Sequence, residues 1–355
     1  MTHDTAPLHA RFGIRRMTAR EPGEQHRTAS PLELFFDLVF VVAVSLSSQQ
    51  LPHMEAHGEL GAAVTSYLML FFAIWWAWMN FTWFGTSFAV DDWPYRVMTI
   101  VQMAGVLVLA SGSAAAMEHQ DFTIVTVGYV IMRLAMVGQW LRAAASVPLF
   151  RRVCLRYAGG IALVQLAWVL RLLLPPTAGF IAFFVLVLAE VLVPVWAERD
   201  GHAPWNAHHI TERYSLFTLI LLGESILASA GAIIDALQER EHLAALITVS
   251  AAGLVIAAGM WWVYFSREHS RHIRTLASSI RYGYFHYVIF AAAGAFSAGI
   301  EIAVDDIGHT ADLSVGAAYA NLTAPLPPFV LAVRAAPLTP RPRCPGHAPD
   351  PLLHA

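Results

Sequence analysis

Long apolar runs separated by short polar interruptions recur from about residue 32 to about residue 333, and no interruption is long enough to form a second domain. A helix needs about 20 mostly apolar residues to cross about 30 Å of hydrocarbon. Nine runs meet that length: residues 32–51, 60–83, 95–116, 122–144, 154–174, 178–197, 212–234, 243–265 and 281–304. A tenth, 312–333, is interrupted by Pro325, Pro327 and Pro328, which lack a backbone donor and clash with the preceding helical turn. The pattern predicts an all-α fold: a polytopic transmembrane helical bundle of about ten spans over residues 31–334. An Arg-rich segment (1–30) precedes it and a Pro/Arg-rich tail (335–355) follows. The tail has little apolar surface to offset the entropy of ordering it, so it is expected to be disordered and dispensable.

Composition sharpens this picture. The 355 residues are 57% hydrophobic and 13% charged, against about 25% charged in an ordinary soluble domain. That excludes a conventional soluble fold. The net charge of −3 is unremarkable, and all 22 basic residues are Arg; no nucleic-acid partner is expected. Loop charge gives orientation, because Arg accumulates on the cytoplasmic side. Arg11, Arg15, Arg16, Arg20 and Arg27 precede the first run, Arg96 follows the second, Arg142, Arg151, Arg152 and Arg156 mark the next such loop, and Arg267, Arg271, Arg274 and Arg281 a later one. The intervening loops offer His53, Glu55, His57, Glu59, Glu118 and Asp121, with Arg171 and Arg240 as the exceptions. The expected arrangement is a multi-pass protein of the inner (cytoplasmic) membrane with both termini inside. Residues 1–30 are polar and do not read as a secretory signal.

Trp75, Trp76, Trp78, Trp83 and Trp93 around the second run, and Trp261, Trp262 and Tyr264 ending the eighth, are expected to form an interfacial aromatic belt. There is also an internal echo. "WWAWMNF", a charged loop and "YRVMTIVQMAGVLVLASG" are answered about 185 residues later by "WWVYF", a charged loop and "IRYGYFHYVIFAAAGAFSAG", which suggests a parallel rather than inverted repeat.

Ionisable groups inside such runs cost about 2.5–3.5 kcal/mol each at a helix centre, so each needs a partner or a task. In "SPLELFFDLVFVVAVS", Glu33 and Asp37 are four apart and share a helix face, with Ser45 and Ser48 near the same line. Ser30 and Pro31 define the helix start, so Glu33 reads as either a cap or a functional carboxylate. Asp37, nearly two turns in, is poorly explained as a cap. In "HHITERYSLFTLILLGESILASAG", Glu212 opens the run, and Arg213 and Glu224 lie on one face three turns apart. That separation of about 16 Å forbids a bridge within the helix, so each must find its partner elsewhere. The small residues Ala228, Ser229 and Gly231 beside "GES" suit a close interhelical seam, which makes a structural hydrogen bond the alternative for Glu224. Arg133, mid-run, is the natural counter-ion for Asp37 or Glu224, and the three are expected to form one cluster, either as scaffold or as charge relay. Glu190 and His286 complete the set. His286 among Tyr282, Tyr284 and Tyr287 reads either as a titrating group or as hydrogen-bonded packing.

No HExxH, GxSxG or P-loop motif is present, so neither enzyme chemistry nor a cofactor is expected. His202, His208 and His209 come nearest to a metal site without metal-ligand spacing, and no metal is expected. Cys154 and Cys344 provide no disulfide framework.

At "PLELFFDLVFVVAVS", "HHITERYSLFTLILLGESILA", "WWVYF" and "YGYFHYVIF" the sequence resembles the bacterial low temperature requirement protein A family over about residues 27–304. The first two motifs are specific, because they are long and carry charges in otherwise apolar helices. The family pattern falls on Glu33, Phe36, Asp37, Glu212, Arg213, Gly223, Glu224, Trp261, Trp262 and His286, while Ser266 stands where the family often has an acidic residue. The resemblance implies a multi-helix inner-membrane protein associated by name with growth in the cold; it supplies architecture and leaves the molecular activity open. Two classes stay open: an ion- or proton-coupled transporter of a small ion or solute, and a non-transporting membrane protein that senses or supports the envelope under stress. The expected site residues are Glu33, Asp37, Arg133, Glu212, Arg213, Glu224 and His286.

Overall fold

A computed structural model describes residues 13–21, 23–24, 27–51, 60–239, 243–267, 273, 275–307 and 315–336. The loop at 53–59, Arg240, Arg271, Arg274 and the tail from 337, Cys344 included, lie outside the described residues. In chain order the helices are α1 (Pro31–Ser48), α2 (Leu60–Ser87), α3 (Trp93–Ser111), α4 (Ser113–His119), α5 (Thr123–Ser146), α6 (Arg151–Arg171), α7 (Pro176–Ala197), α8 (Ala207–Glu239), α9 (Leu243–Phe265), α10 (Leu276–Ile307), α11 (Val315–Thr323) and α12 (Leu326–Ala335). Two short strands, β1 (Thr18–Ala19) and β2 (Phe88–Ala89), pair antiparallel.

Nine candidate spans occur among the described residues, with α3 and α4 together forming one of them. The tenth expected span is instead broken into α11 and α12. Pro325 caps α12 and Pro327 occupies its first turn, where a missing N–H is tolerated. The pair packs on α10: Phe329 and Val333 are buried, and a Cβ at Gly299 would come within 2.6 Å of the Asn321 carbonyl oxygen.

Helix starts follow local chemistry. Ser30 and Glu33 form a reciprocal capping box with Pro31 in the first turn of α1. The Asp92 carboxylate accepts from the Tyr95 amide to start α3, and also from the Arg15 amide and the Arg142 guanidinium. The Arg-rich segment therefore lies against the bundle. Met17 and Arg27 are buried, and the Arg27 guanidinium donates to the Gly85 and Thr86 carbonyls that end α2. Burial pushes the Arg27 guanidinium down to about 10, with Arg20 adding to the effect and Glu33 opposing it.

The bundle is apolar outside and polar at selected points inside. Leu163, Val185, Leu227 and Val255 point outward at 61–70% exposure, whereas Asp37, Arg133, Glu190 and Arg213 are at most 1% exposed. Such a large exposed apolar surface is stable only against lipid. α2 and α10 are central, each with 72% of its span buried, while α7 with 28% is peripheral. Trp75, Trp76 and Trp78 therefore belong to the core and not to an interfacial belt, and Tyr264 is buried as well. Trp93, Trp261 and Trp262 are 44–71% exposed, as belt residues should be. The two copies of the sequence echo occupy unequal places, since α2 is central and its counterpart α9 is only 33% buried. Cys154 lies in the first turn of α6 and is buried there.

Candidate functional site

The i, i+4 spacing on α1 points Glu33 and Asp37 at α8, where Arg213 meets both. The Arg213 guanidinium is bidentate to Asp37: Nε donates to Oδ2 at 2.9 Å and Nη2 donates to Oδ1. The planar fork is suited to this geometry. From α2, the Trp78 indole N–H donates to Asp37 Oδ1 at 2.6 Å. Arg213 Nη1 lies 3.4 Å from Glu33 Oε1, which His209 Nε2 approaches at 3.3 Å and Arg27 Nη2 at 3.7 Å. Glu33 Oε2 accepts from the Ser30 amide, so Glu33 is both cap and ion partner. Two carboxylates facing two guanidiniums balance the charge when His209 is neutral. Glu212 turns the other way, and its Oε1 accepts from the Ala29 amide, fixing the approach to α1.

Further along the same pair of helices, Ser45 Oγ donates to Glu224 Oε2 at 2.9 Å. Asp37–Arg213 and Ser45–Glu224 are separated in sequence by 176 and 179 residues, which is the signature of two helices lying parallel in register. Glu224 is half-buried, and among the described residues no cationic side chain lies within ion-pair distance. Around it the expected tight seam is only partial. Ser229 packs on Gly253 of α9, but Gly223 and Gly231 face open space. Arg213 and Glu224 thus mark two polar stations about 16 Å apart along one seam, with Val41, Val44, Phe217 and Leu221 buried between them.

The expected single cluster of Asp37, Arg133 and Glu224 does not form. Arg133 on α5 instead donates to Glu190 Oε2 on α7 at 2.7 Å. Glu190 also accepts from Trp76 of α2 at 2.9 Å, Tyr129 of α5 at 2.9 Å and Gln165 of α6 at 3.0 Å. Asp37 had a nearer cation in Arg213, because α8 rather than α5 lies alongside the charged face of α1. His286 is fully buried. Its Nδ1 faces the Tyr282 carbonyl at 2.7 Å and must donate there, and its Nε2 lies 2.9 Å from the Tyr264 hydroxyl.

Glu33 also lines a cleft of about 1150 Å³, open space at its mouth included, together with Arg20, Arg27, Ser30, Tyr95 and Arg96. One end of the α1–α8 seam therefore borders a surface cleft. Sequence reasoning missed Trp76 and Trp78 as carboxylate partners, as well as Arg27 and His209. The one available signal was that "WWAW" sets indoles at positions 75, 76 and 78, which on a helix turning about 100° per residue places them on more than one face.

An apolar exterior around the nine spans found among the described residues, with the fully buried ion pairs Asp37–Arg213 and Arg133–Glu190 at helix interfaces, defines a polytopic integral membrane protein. The sequence model of the bacterial low temperature requirement A protein (LtrA) family matches residues 28–345, and the chain belongs to that family. The match runs past residue 304, where the motif resemblance ended. An uncharacterized protein of Rhizobium meliloti (strain 1021) is 27% identical over 267 residues, covering 71% of this chain and 61% of the relative. The chain thus spans about three-fifths of that relative's length. No solved structure matches the chain.

Proposed function

We propose that the protein is an ion- or proton-coupled transporter working along the α1–α8 seam, with the lipid bilayer and a small ion or proton as its partners. The observation that carries this reading is Glu224, a half-buried carboxylate in a membrane span whose hydrogen-bond partner is a serine hydroxyl rather than a cation. A carboxylate in that setting exchanges a proton or small cation more readily than one locked by a guanidinium. Asp37, held by Arg213, Trp78 and the neighbouring Glu33 network, is the fixed station. The apolar stretch between the two stations prevents a static hydrogen-bond wire, so coupling requires the helices to move or water to enter.

The test is flux into proteoliposomes across candidate ions and small solutes, with and without a pH gradient. Glu224→Gln and Asp37→Asn are each expected to reduce gradient-dependent flux at least about tenfold, the size of losing one specific polar interaction of about 1.4 kcal/mol. The protein should stay folded in the membrane. Absence of gradient-dependent flux for every solute would favour the non-transporting class, a protein that senses or supports the envelope under stress.

The same reading places the protein in the inner membrane with its N-terminus in the cytoplasm, supported by the Arg-bearing loops lying at one end of the spans. A reporter within residues 53–59 should read outside, and one within 145–152 cytoplasmic. Cytoplasmic signal at both positions would overturn this orientation.

A further inference from the structure

Away from the α1–α8 seam, a narrow cavity with about 40 Å³ of water-accessible space behind its mouth opens between the ends of α2, α5 and α7, the starts of α6 and α10, and the connection 198–206. Its walls carry five aromatic rings, Trp83, Trp140, Tyr157, Trp205 and Tyr284, and one carboxylate, Glu198. Trp140 and Tyr157 stack with ring centroids 4.1 Å apart and planes 6° from parallel, and Trp83 and Trp205 stand 6.3 Å apart at 56°. Glu198 is 8% exposed, and its Oε1 accepts from the Tyr157 hydroxyl at 2.9 Å. His202 Nδ1 lies 3.5 Å from Oε2. Among the described residues no Arg lines the cavity.

We propose that this cavity binds a small organic cation with an alkylated ammonium group, enclosed by the aromatic walls and charge-matched by Glu198. The inference rests on the cavity alone and is independent of the transport reading. Aromatic rings attract a cation through their quadrupoles, most strongly where water is excluded, and methyl groups on nitrogen spread the charge over a surface that rings can cover. The alternatives fit less well. An anion would be repelled by Glu198, a hard metal ion needs several oxygen ligands where the wall offers one carboxylate, and a neutral apolar guest gains no electrostatic attraction from Glu198 or from the ring quadrupoles.

Burial raises the Glu198 carboxyl above the usual range, while the Tyr157 hydroxyl and His202 oppose that shift. The groups around it are Tyr157 from α6, Tyr284 from α10 and His202 from its own connection. Acidification protonates Glu198, which removes the charge that matches the cation and weakens binding. Affinity is therefore expected to fall as pH is lowered.

The experiment titrates the full-length protein in lipid nanodiscs with tetramethylammonium chloride at constant ionic strength, read by calorimetry and tryptophan fluorescence. Tert-butanol serves as the neutral isostere. Saturable binding of tetramethylammonium is expected, with tert-butanol at least about tenfold weaker. Glu198→Gln should raise Kd at least about tenfold, as should Trp205→Leu, whereas Trp205→Phe keeps most of the affinity. Trp205 lies in a connection and is only partly buried, so its two variants remain informative if Glu198→Gln unfolds. No saturable binding, equal binding of tert-butanol, or a Trp205→Leu protein that binds as tightly as wild type would overturn the proposal.

Discussion

Arg213→Met is expected to be among the most destabilising single substitutions in the protein, removing about 3–5 kcal/mol, because it strands Asp37 as a buried carboxylate without its cation and leaves Glu33 with Arg27 alone of its two guanidinium neighbours. Asp37 is fully buried and bound in bidentate fashion by Arg213, with only Trp78 as a further donor on that carboxylate among the bonds described. The loss would arise from the uncompensated charges more than from the missing attraction. Asp37→Leu combined with Arg213→Met should therefore recover part of it, since two apolar residues of similar bulk leave no charge unpaired at that position, only the Trp78 indole N–H. Recovery should be incomplete, because Glu33 still loses a neighbour at 3.4 Å. The internal control is Arg96→Ala. Its bidentate partner Asp91 is equally well placed, but the pair is 59% and 65% exposed, and pairs of that kind contribute about 0–1 kcal/mol. Thermal unfolding of these three variants and the wild type in one detergent decides the matter. Equal losses for Arg213→Met and Arg96→Ala, or a double variant no better than the single, would remove the charge-stranding explanation.

The sequence made one side of each polar contact legible and left the other side open. The face of α1 bearing Glu33, Asp37 and Ser45 follows from helical periodicity, as does the eleven-residue interval between Arg213 and Glu224. Together these say that two charged stripes exist and that each needs a partner off its own helix. Which stripes meet depends on how spans pack, which periodicity does not encode. Arg133 was accordingly matched to the carboxylates most conspicuous in the sequence, whereas packing gives it Glu190. The indoles of α2 show a second limit. Trp is suited both to the membrane interface and to a buried site with an acceptor, so "WWAW" leaves the choice open until α2 is seen at the bundle centre. The tenth span shows a third: three prolines announced a break, but not that the two pieces would pack as a short pair on α10. The expected disorder of 335–355 concerns residues that lie largely outside those described.

Glu190→Met is expected to destabilise the protein by about 3–5 kcal/mol, comparable to Arg213→Met but through a different set of helices. Glu190 is fully buried, and its two oxygens gather Trp76, Tyr129, Arg133 and Gln165, which ties α2, α5 and α6 to α7. α7 has little else to hold it, since Phe183, Val193 and Ala197 are its main buried apolar residues and most of its surface faces outward. Removing the carboxylate leaves the Arg133 charge and three neutral donors unpaired in a low-dielectric core, and each unsatisfied neutral donor costs about 1–3 kcal/mol. Arg133→Met added to Glu190→Met should restore part of the stability by eliminating the one full charge among them, while Trp76, Tyr129 and Gln165 keep the recovery partial. The pair also separates scaffolding from transport. A double variant that regains stability and retains gradient-dependent flux in proteoliposomes would assign Glu190 and Arg133 to holding the bundle together. A double variant that regains stability but loses flux would move the ion path away from the α1–α8 seam and into the space between α5 and α7.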